Sequence, residues 1–140
     1  FEGERTPNRP SATGVFAGMN LNNSNPEDIA RAMVEGMLAG LADAVDSLVA
    51  LGVGVNRILL IGGAAKNPAV PVIASALFGR EVIVPPAGEY VADGASKQAA
   101  WALLGNMPTW DLGEVTHHNS VATPDVMAKY KELKNRTEAW

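Results

Sequence analysis

Gly62-Gly63-Ala64-Ala65-Lys66-Asn67 is the stretch of this chain whose residue types and spacing best suit ligand chemistry. It follows the apolar run Ile58-Leu59-Leu60-Ile61 and precedes an apolar segment ending at Phe78-Gly79. A short strand, a turn with two glycines and then a helix lets backbone amides approach a nucleotide closely. The spacing matches neither Gly-x-Gly-x-x-Gly nor Gly-x-x-x-x-Gly-Lys-Ser/Thr, so a Rossmann dinucleotide site and a Walker P-loop are both poorly supported. A tight strand-to-helix bend that needs permissive backbone angles accounts for the same six residues equally well. Lys66 reads as a solvated turn lysine and stays outside the candidate site. His117-His118 lacks the helical spacing of a metal-binding pair and reads as two solvated loop histidines.

The elements around the turn are marked by capping residues and apolar spacing. Asn25 is a good N-cap, Pro26 suits the first helical position, and Glu27 and Asp28 set negative charge at the positive end of the helix dipole. Ile29, Met33, Met37, Leu41 and Val45 recur every four residues, joined by Leu38, Leu48 and Val49, so a long helix with a core-facing apolar side is predicted to end near Gly52. Gly36 and Gly40 each cost about 1 kcal/mol of helix propensity and are explained either by close approach of another backbone or as tolerated glycines. Arg57 to Ile61 is continuous rather than alternating, as in a parallel strand covered on both faces.

The next helix is predicted to start between Asn67 and Val70 and to run to Leu77, with Pro68 and Pro71 confined to its first turn and Gly79 as its stop. Glu81 to Val84 is a second strand, closed by Pro85-Pro86, and a helix rich in small residues covers Asp93 to Leu104 before Gly105. Close packing is the default reason for Gly94, Ala95, Ser96, Ala99, Ala100 and Ala102; room for a nucleotide beside the turn is the alternative. The first 25 residues and the segment 106–121 read as loop, and Thr123-Pro124-Asp125 caps a last helix that docks through Val126, Tyr130 and Leu133. The order is α-β-α-β-α with a tail helix, an α/β arrangement around a βαβ unit whose ligands sit beyond the carboxyl ends of the strands.

Composition narrows the functional classes. The 140 residues are 47% hydrophobic, enough for one domain with a real core but small for a complete two-domain enzyme. Phe1-Glu2-Gly3-Glu4 has neither the basic start nor the apolar stretch of a signal peptide, and the chain reads as part of something longer. Arg31, Glu35, Asp43 and Asp46 interrupt the longest apolar region, so no membrane span is expected. The absence of cysteine excludes disulfides, thiolate zinc sites and cysteine nucleophiles, and a cytoplasmic location is the natural expectation. A net charge of -4 without a lysine or arginine cluster gives no footprint for nucleic acid or acidic membrane.

Gly3-Glu4-Arg5-Thr6-Pro7, Ala12-Thr13-Gly14-Val15-Phe16-Ala17-Gly18-Met19, Ala30-Arg31-Ala32-Met33-Val34-Glu35-Gly36, Ile61-Gly62-Gly63-Ala64-Ala65 and Asp93-Gly94-Ala95 occur in that order. The series resembles the FGGY carbohydrate kinases over almost the whole chain, weakening after Gly105. The Gly-Glu-Arg-Thr-Pro element places the likeness nearest the pentulose-phosphorylating xylulokinase branch.

The resemblance implies residues 1–140 as the carboxy-terminal part of the second, ATP-binding domain of an actin-like, ribonuclease H-like ATPase fold. Its partner would be an amino-terminal domain that lies outside this chain. ATP and magnesium would occupy the cleft between the two domains, the metal being held mainly by parts outside the chain. Gly63 and Asn67 match the positions that contact the nucleotide in the glycerol kinase branch, with Gly62 and Ala64 completing the turn; Ala64 stands where xylulokinases tend to have a third glycine. No catalytic residue falls within the chain, since the family's phosphate loop, catalytic aspartate and sugar pocket lie upstream. The implied activity is ATP-dependent phosphorylation of D-xylulose to D-xylulose 5-phosphate by the longer parent, with this part inactive alone. Ribulose or gluconate kinases of the family, or a non-catalytic actin-like nucleotide-binding module, are the alternatives. A sugar substrate, the amino-terminal domain and a homo-oligomer are the implied partners.

Overall fold

A computed structural model describes residues 2–5 and 8–137. Phe1, the Thr6-Pro7 end of the Gly-Glu-Arg-Thr-Pro element and residues 138–140 lie outside the described part. The chain opens with an antiparallel pair, β1 (Glu2–Glu4) and β2 (Arg9–Thr13), where a loop had been expected. Helix α1 (Pro26–Ala50) follows the predicted bounds, and the Asn25 Oδ1 cap accepts from the Asp28 amide at 2.8 Å. Strand β3 (Ile58–Leu59) leads through a 3₁₀ turn (Gly63–Lys66) into α2 (Ala69–Phe78), which Gly79 ends in the left-handed region at φ 58°. Strand β4 (Val82–Val84), α3 (Tyr90–Leu104), β5 (Thr116–His118) and α4 (Pro124–Arg136) complete the chain.

Strand β4 is the middle of a three-stranded sheet. It runs parallel to β3, with Ile58 opposite Val82 and Leu59 opposite Ile83, and antiparallel to β5, with Val82 opposite His118 and Val84 opposite Thr116. The parallel β3-α2-β4 unit is the one expected from the continuous apolar runs. Strand β5 was expected to be loop, because Thr116-His117-His118 has no apolar alternation. Its pairing is supplied by β4 and supported by Thr116 Oγ1 donating to the Val84 carbonyl at 3.3 Å and by His117 Nδ1 lying 3.1 Å from Glu81 Oε1. The two histidines are therefore strand residues.

The core lies where α1 and α2 meet the sheet. Leu38, Ala39, Val70, Ile73, Ala74, Leu77 and Val82 are buried, with Val34, Ile58, Val84, Val126, Met127 and Tyr130 packed around them. Helix α2 is buried almost all round because a central layer with neighbours on several sides must be apolar throughout. On α1 Leu38 of the predicted stripe is buried together with Ala39 and Ala42, and Val34 is half-buried beside them. Met33, Met37 and Leu41 of that stripe remain 43%, 51% and 53% exposed. The helix has two apolar faces, and periodicity alone cannot say which one the rest of the chain covers.

Helix α4 docks on α1 as anticipated. Lys131 and Lys134 each reach a carboxylate of α1, Asp46 and Asp43, at 2.6 Å, and the Tyr130 hydroxyl would lie 3.6 Å from a methyl group placed on Gly40. Gly40 therefore faces a side chain rather than a backbone, and a methyl on Gly36 would meet nothing within 4 Å. Thr123 does not cap α4 through its side chain: its Oγ1 is buried without a partner, while its amide donates to the Ala76 carbonyl at 2.9 Å. Helix α3 contains no buried residue, and a methyl on Gly94 would meet nothing within 4 Å, so close packing within the chain does not explain its small residues. None of the described helices is long and apolar enough to cross a membrane.

Candidate functional site

Because β3 and β4 are parallel, their carboxyl ends lie at the same edge of the sheet, and the segments leaving them face each other. Gly62-Gly63, with Ala65 and Lys66, makes one wall of a pocket of about 560 Å³; Val84 to Tyr90, leaving β4, makes the other. That volume lies within the range of small-ligand sites, roughly 300–1,000 Å³.

The glycine turn is built by two different constraints. Gly62 has φ 100° and ψ −179°, a combination that side chains adopt only under strain. Its carbonyl accepts from the Ala65 amide at 3.2 Å, and that bond starts the 3₁₀ turn. Gly63 has no positive φ, and a methyl added there would meet no atom within 4 Å. The fold of the described residues therefore demands a glycine at 62 and not at 63. A methyl at 63 would stand on open space beside the pocket wall, as it would at Gly36 and Gly94 elsewhere in the chain.

Of the four residues expected to hold a nucleotide, Gly62 and Gly63 line the pocket, whereas Ala64 and Asn67 do not. Asn67 is engaged in the local backbone. Its Oδ1 accepts from the Ala69 amide at 3.0 Å, and its carbonyl accepts from Val70 at 3.1 Å, so it opens α2 as an Asx turn. Lys66, set aside on sequence grounds, lies on the pocket wall.

The segment leaving β4 was missed as a ligand wall. Pro85 is buried, and Pro86 Cγ lies 3.4 Å from where a methyl on Gly113 would sit. The Tyr90 hydroxyl donates to the Pro86 carbonyl at 2.5 Å across the intervening loop. The signal was present in the sequence: Pro85-Pro86-Ala87-Gly88 directly follows a strand of the βαβ unit, where the second wall of such a crevice belongs.

Lys66 and Glu89 are the charged side chains of this pocket; Tyr90 adds a hydroxyl that is already engaged, and the remaining lining residues are glycine, alanine, valine and proline. Such a set can cradle an apolar ring and offer backbone groups, and it contains no nucleophile paired with a base. Among the described residues no group of three or more His, Asp or Glu side chains is assembled to hold a metal ion.

Comparison with known proteins follows the same lines. Residues 1–103 match the model of the carboxy-terminal domain of the FGGY family of carbohydrate kinases. A xylulose kinase of Streptomyces rubiginosus is 36% identical over 109 residues, which is 77% of this chain and 22% of that protein. A ribulokinase of Vibrio parahaemolyticus is 36% identical over 152 residues, covering 99% of this chain and 26% of that protein. The crystal structure of xylulose kinase from Bifidobacterium adolescentis superposes with a TM-score of 0.77 at 42% identity, over 96% of this chain and 27% of that one. The chain thus spans about a quarter of the length of these relatives.

Proposed function

We propose, since the chain belongs to the FGGY family of carbohydrate kinases as their carboxy-terminal domain, that it supplies the adenosine-binding wall of an ATP-dependent sugar kinase. The reading is supported by the crevice beyond the carboxyl ends of β3 and β4, where ligands of open α/β sheets sit. The pocket between Gly62-Gly63 and the Pro85–Tyr90 loop is the observation that carries this reading, because its size, its mixed polar and apolar lining and the glycines on its wall suit a nucleoside.

The substrate proposed for the polypeptide carrying this chain is D-xylulose, converted to D-xylulose 5-phosphate. Its support is the recurrence of xylulose kinases among the relatives, including the solved structure at 42% identity. In the reaction a sugar hydroxyl attacks the terminal phosphorus of ATP, the bond from that phosphorus to the bridging oxygen breaks, and ADP leaves as the hydroxyl proton passes to a base. This chain's share is to hold the nucleoside in line for that transfer. The base, the phosphate clamps, the magnesium ligands and the sugar pocket belong to other parts of the polypeptide, its amino-terminal domain foremost. A ribulose substrate is the second reading, favoured by the Vibrio ribulokinase that matches nearly all of this chain. Both readings predict that residues 1–140 alone show no turnover.

A coupled ADP-release assay on the full polypeptide with a panel of ketoses and sugar acids tests the proposal. Highest kcat/KM with D-xylulose is expected. Preference for ribulose would select the second reading, and no ADP release with any sugar would overturn the kinase assignment.

A further inference from the structure

The loop between β4 and α3 carries an arrangement that the binding reading leaves unexplained. Pro85-Pro86-Ala87-Gly88-Glu89 forms the wall opposite the glycine turn, and Tyr90 is the first residue of α3. The Tyr90 hydroxyl turns back four residues to donate to the Pro86 carbonyl at 2.5 Å. Its ring lies against Gly88, where a methyl group would sit 3.5 Å from Cε2 and 3.7 Å from Cζ. Outside this clasp the loop is anchored by buried Pro85 and by Pro86 against Gly113. The segment Ala87 to Glu89 is exposed and has no other side-chain hydrogen bond among the described residues. Glu89 is tied to α3 through its carbonyl, which accepts from the Asp93 amide at 2.9 Å, and the tyrosine is the clasp on the stretch before it.

We infer that Tyr90 is a positioning residue for the nucleotide: its hydroxyl, held by the Pro86 carbonyl, closes the loop into a preformed wall and so raises affinity. The inference rests on the nucleotide reading of this pocket. Preorganisation acts by removing from the binding step the cost of ordering a loop. A mobile wall would have to be ordered by the ligand, and affinity would fall by the fraction of time the loop spends closed. Losing one hydrogen bond of this kind loosens the closed state by about threefold to tenfold.

The chain offers a second way to order the same loop. Gly88 has no positive φ, and its added methyl would make an ordinary van der Waals contact with the Tyr90 ring. Gly88→Ala therefore restricts the open loop without straining the closed one. A phenylalanine at 90 keeps that ring contact and lacks only the hydroxyl.

The test measures the affinity of the full polypeptide for ATP with a fluorescent ATP analogue, and its KM and kcat, for the native protein, Tyr90→Phe and Tyr90→Phe/Gly88→Ala. The expected result is a dissociation constant and a KM for ATP raised by up to about tenfold in Tyr90→Phe, with part of the loss recovered in the double variant. Native binding with equal affinity in Tyr90→Phe would overturn the positioning role. So would a loss matched by a lower Tm and left unrecovered by Gly88→Ala, which would make the hydroxyl a support of the fold only. Failure of the native polypeptide to bind the analogue would instead overturn the nucleotide reading of the pocket, and with it this inference.

Discussion

Replacing each of the two adjacent glycines by alanine separates what the fold needs from what the ligand needs. At Gly62 the backbone sits at φ 100° and ψ −179°. Alanine there is forced into a region that only glycine visits readily, at a cost of about 1–3 kcal/mol. At Gly63 no positive φ is required and the new methyl meets nothing within 4 Å. Alanine there reduces the freedom of the unfolded chain and stabilises by about 0.4–1 kcal/mol. The same methyl stands on the wall of the 560 Å³ pocket, where it displaces a ligand atom or pushes the ligand away. A loss of about tenfold in ATP affinity, 1.4 kcal/mol, is the expected size. Urea unfolding reads the first quantity and titration with a fluorescent ATP analogue the second. Gly62→Ala is expected to unfold at lower urea, and Gly63→Ala to unfold at equal or higher urea while binding ATP more weakly. A Gly63→Ala protein that binds ATP as tightly as the native one would refute the reasoning that this glycine makes way for a ligand.

Other consequences follow from the core, the docked helix and the titrating groups. Leu38 is 1% exposed at the centre of the α1–α2 packing, so Leu38→Ala is expected to cost about 2–5 kcal/mol in urea unfolding, whereas Met37→Ala on the exposed face costs less than 1 kcal/mol. The pair Lys134–Asp43 is shielded, its side chains 19% and 18% exposed, while Lys131–Asp46 stands in solvent. Asp43→Ala is therefore expected to cost about 1–3 kcal/mol and Asp46→Ala about 0–1 kcal/mol, read from the same unfolding curves. Burial, and then the charges of Glu4 and Asp43, raise the Tyr130 phenol above its ordinary 10.0. The native state holds that proton more tightly than the unfolded one. Stability is thus full below pH 10.0 and falls as pH rises through the folded value, and Tyr130→Phe flattens this loss in melting curves taken from pH 9 to 11. Lys131, raised by its hydrogen bond to Asp46, leaves a residual slope above 10.5.

Much of this arrangement was legible in the chain because it is locally encoded. Asn25-Pro26 started α1, Gly79 and Gly105 stopped α2 and α3, and the two apolar runs gave the parallel strands, each through a residue whose own backbone preference decides the matter. What was hidden depends on partners distant in sequence. Strand β5 exists because β4 offers an edge, not because Thr116-His117-His118 favours extension. Both Leu38 and Met37 belong to the predicted apolar face of α1, yet Leu38 is buried and Met37 half-exposed, because the two are equally apolar and only packing chooses between them. Of the candidate site, the glycines were visible as a turn. The difference between Gly62, whose backbone angle requires glycine, and Gly63, whose does not, was not, since it requires a dihedral angle. The opposite wall escaped because Pro85 to Gly88 carries no reactive side chain; its role comes from standing across the crevice from the turn.

The central claim is that a nucleotide lies between these two walls. Hydrogen exchange of the full polypeptide, followed by mass spectrometry with and without a non-hydrolysable ATP analogue, tests it most directly. Slowed exchange is predicted in peptides spanning 61–67 and 84–90 together, at analogue concentrations that saturate binding. Bound analogue with unchanged exchange in both segments would contradict it.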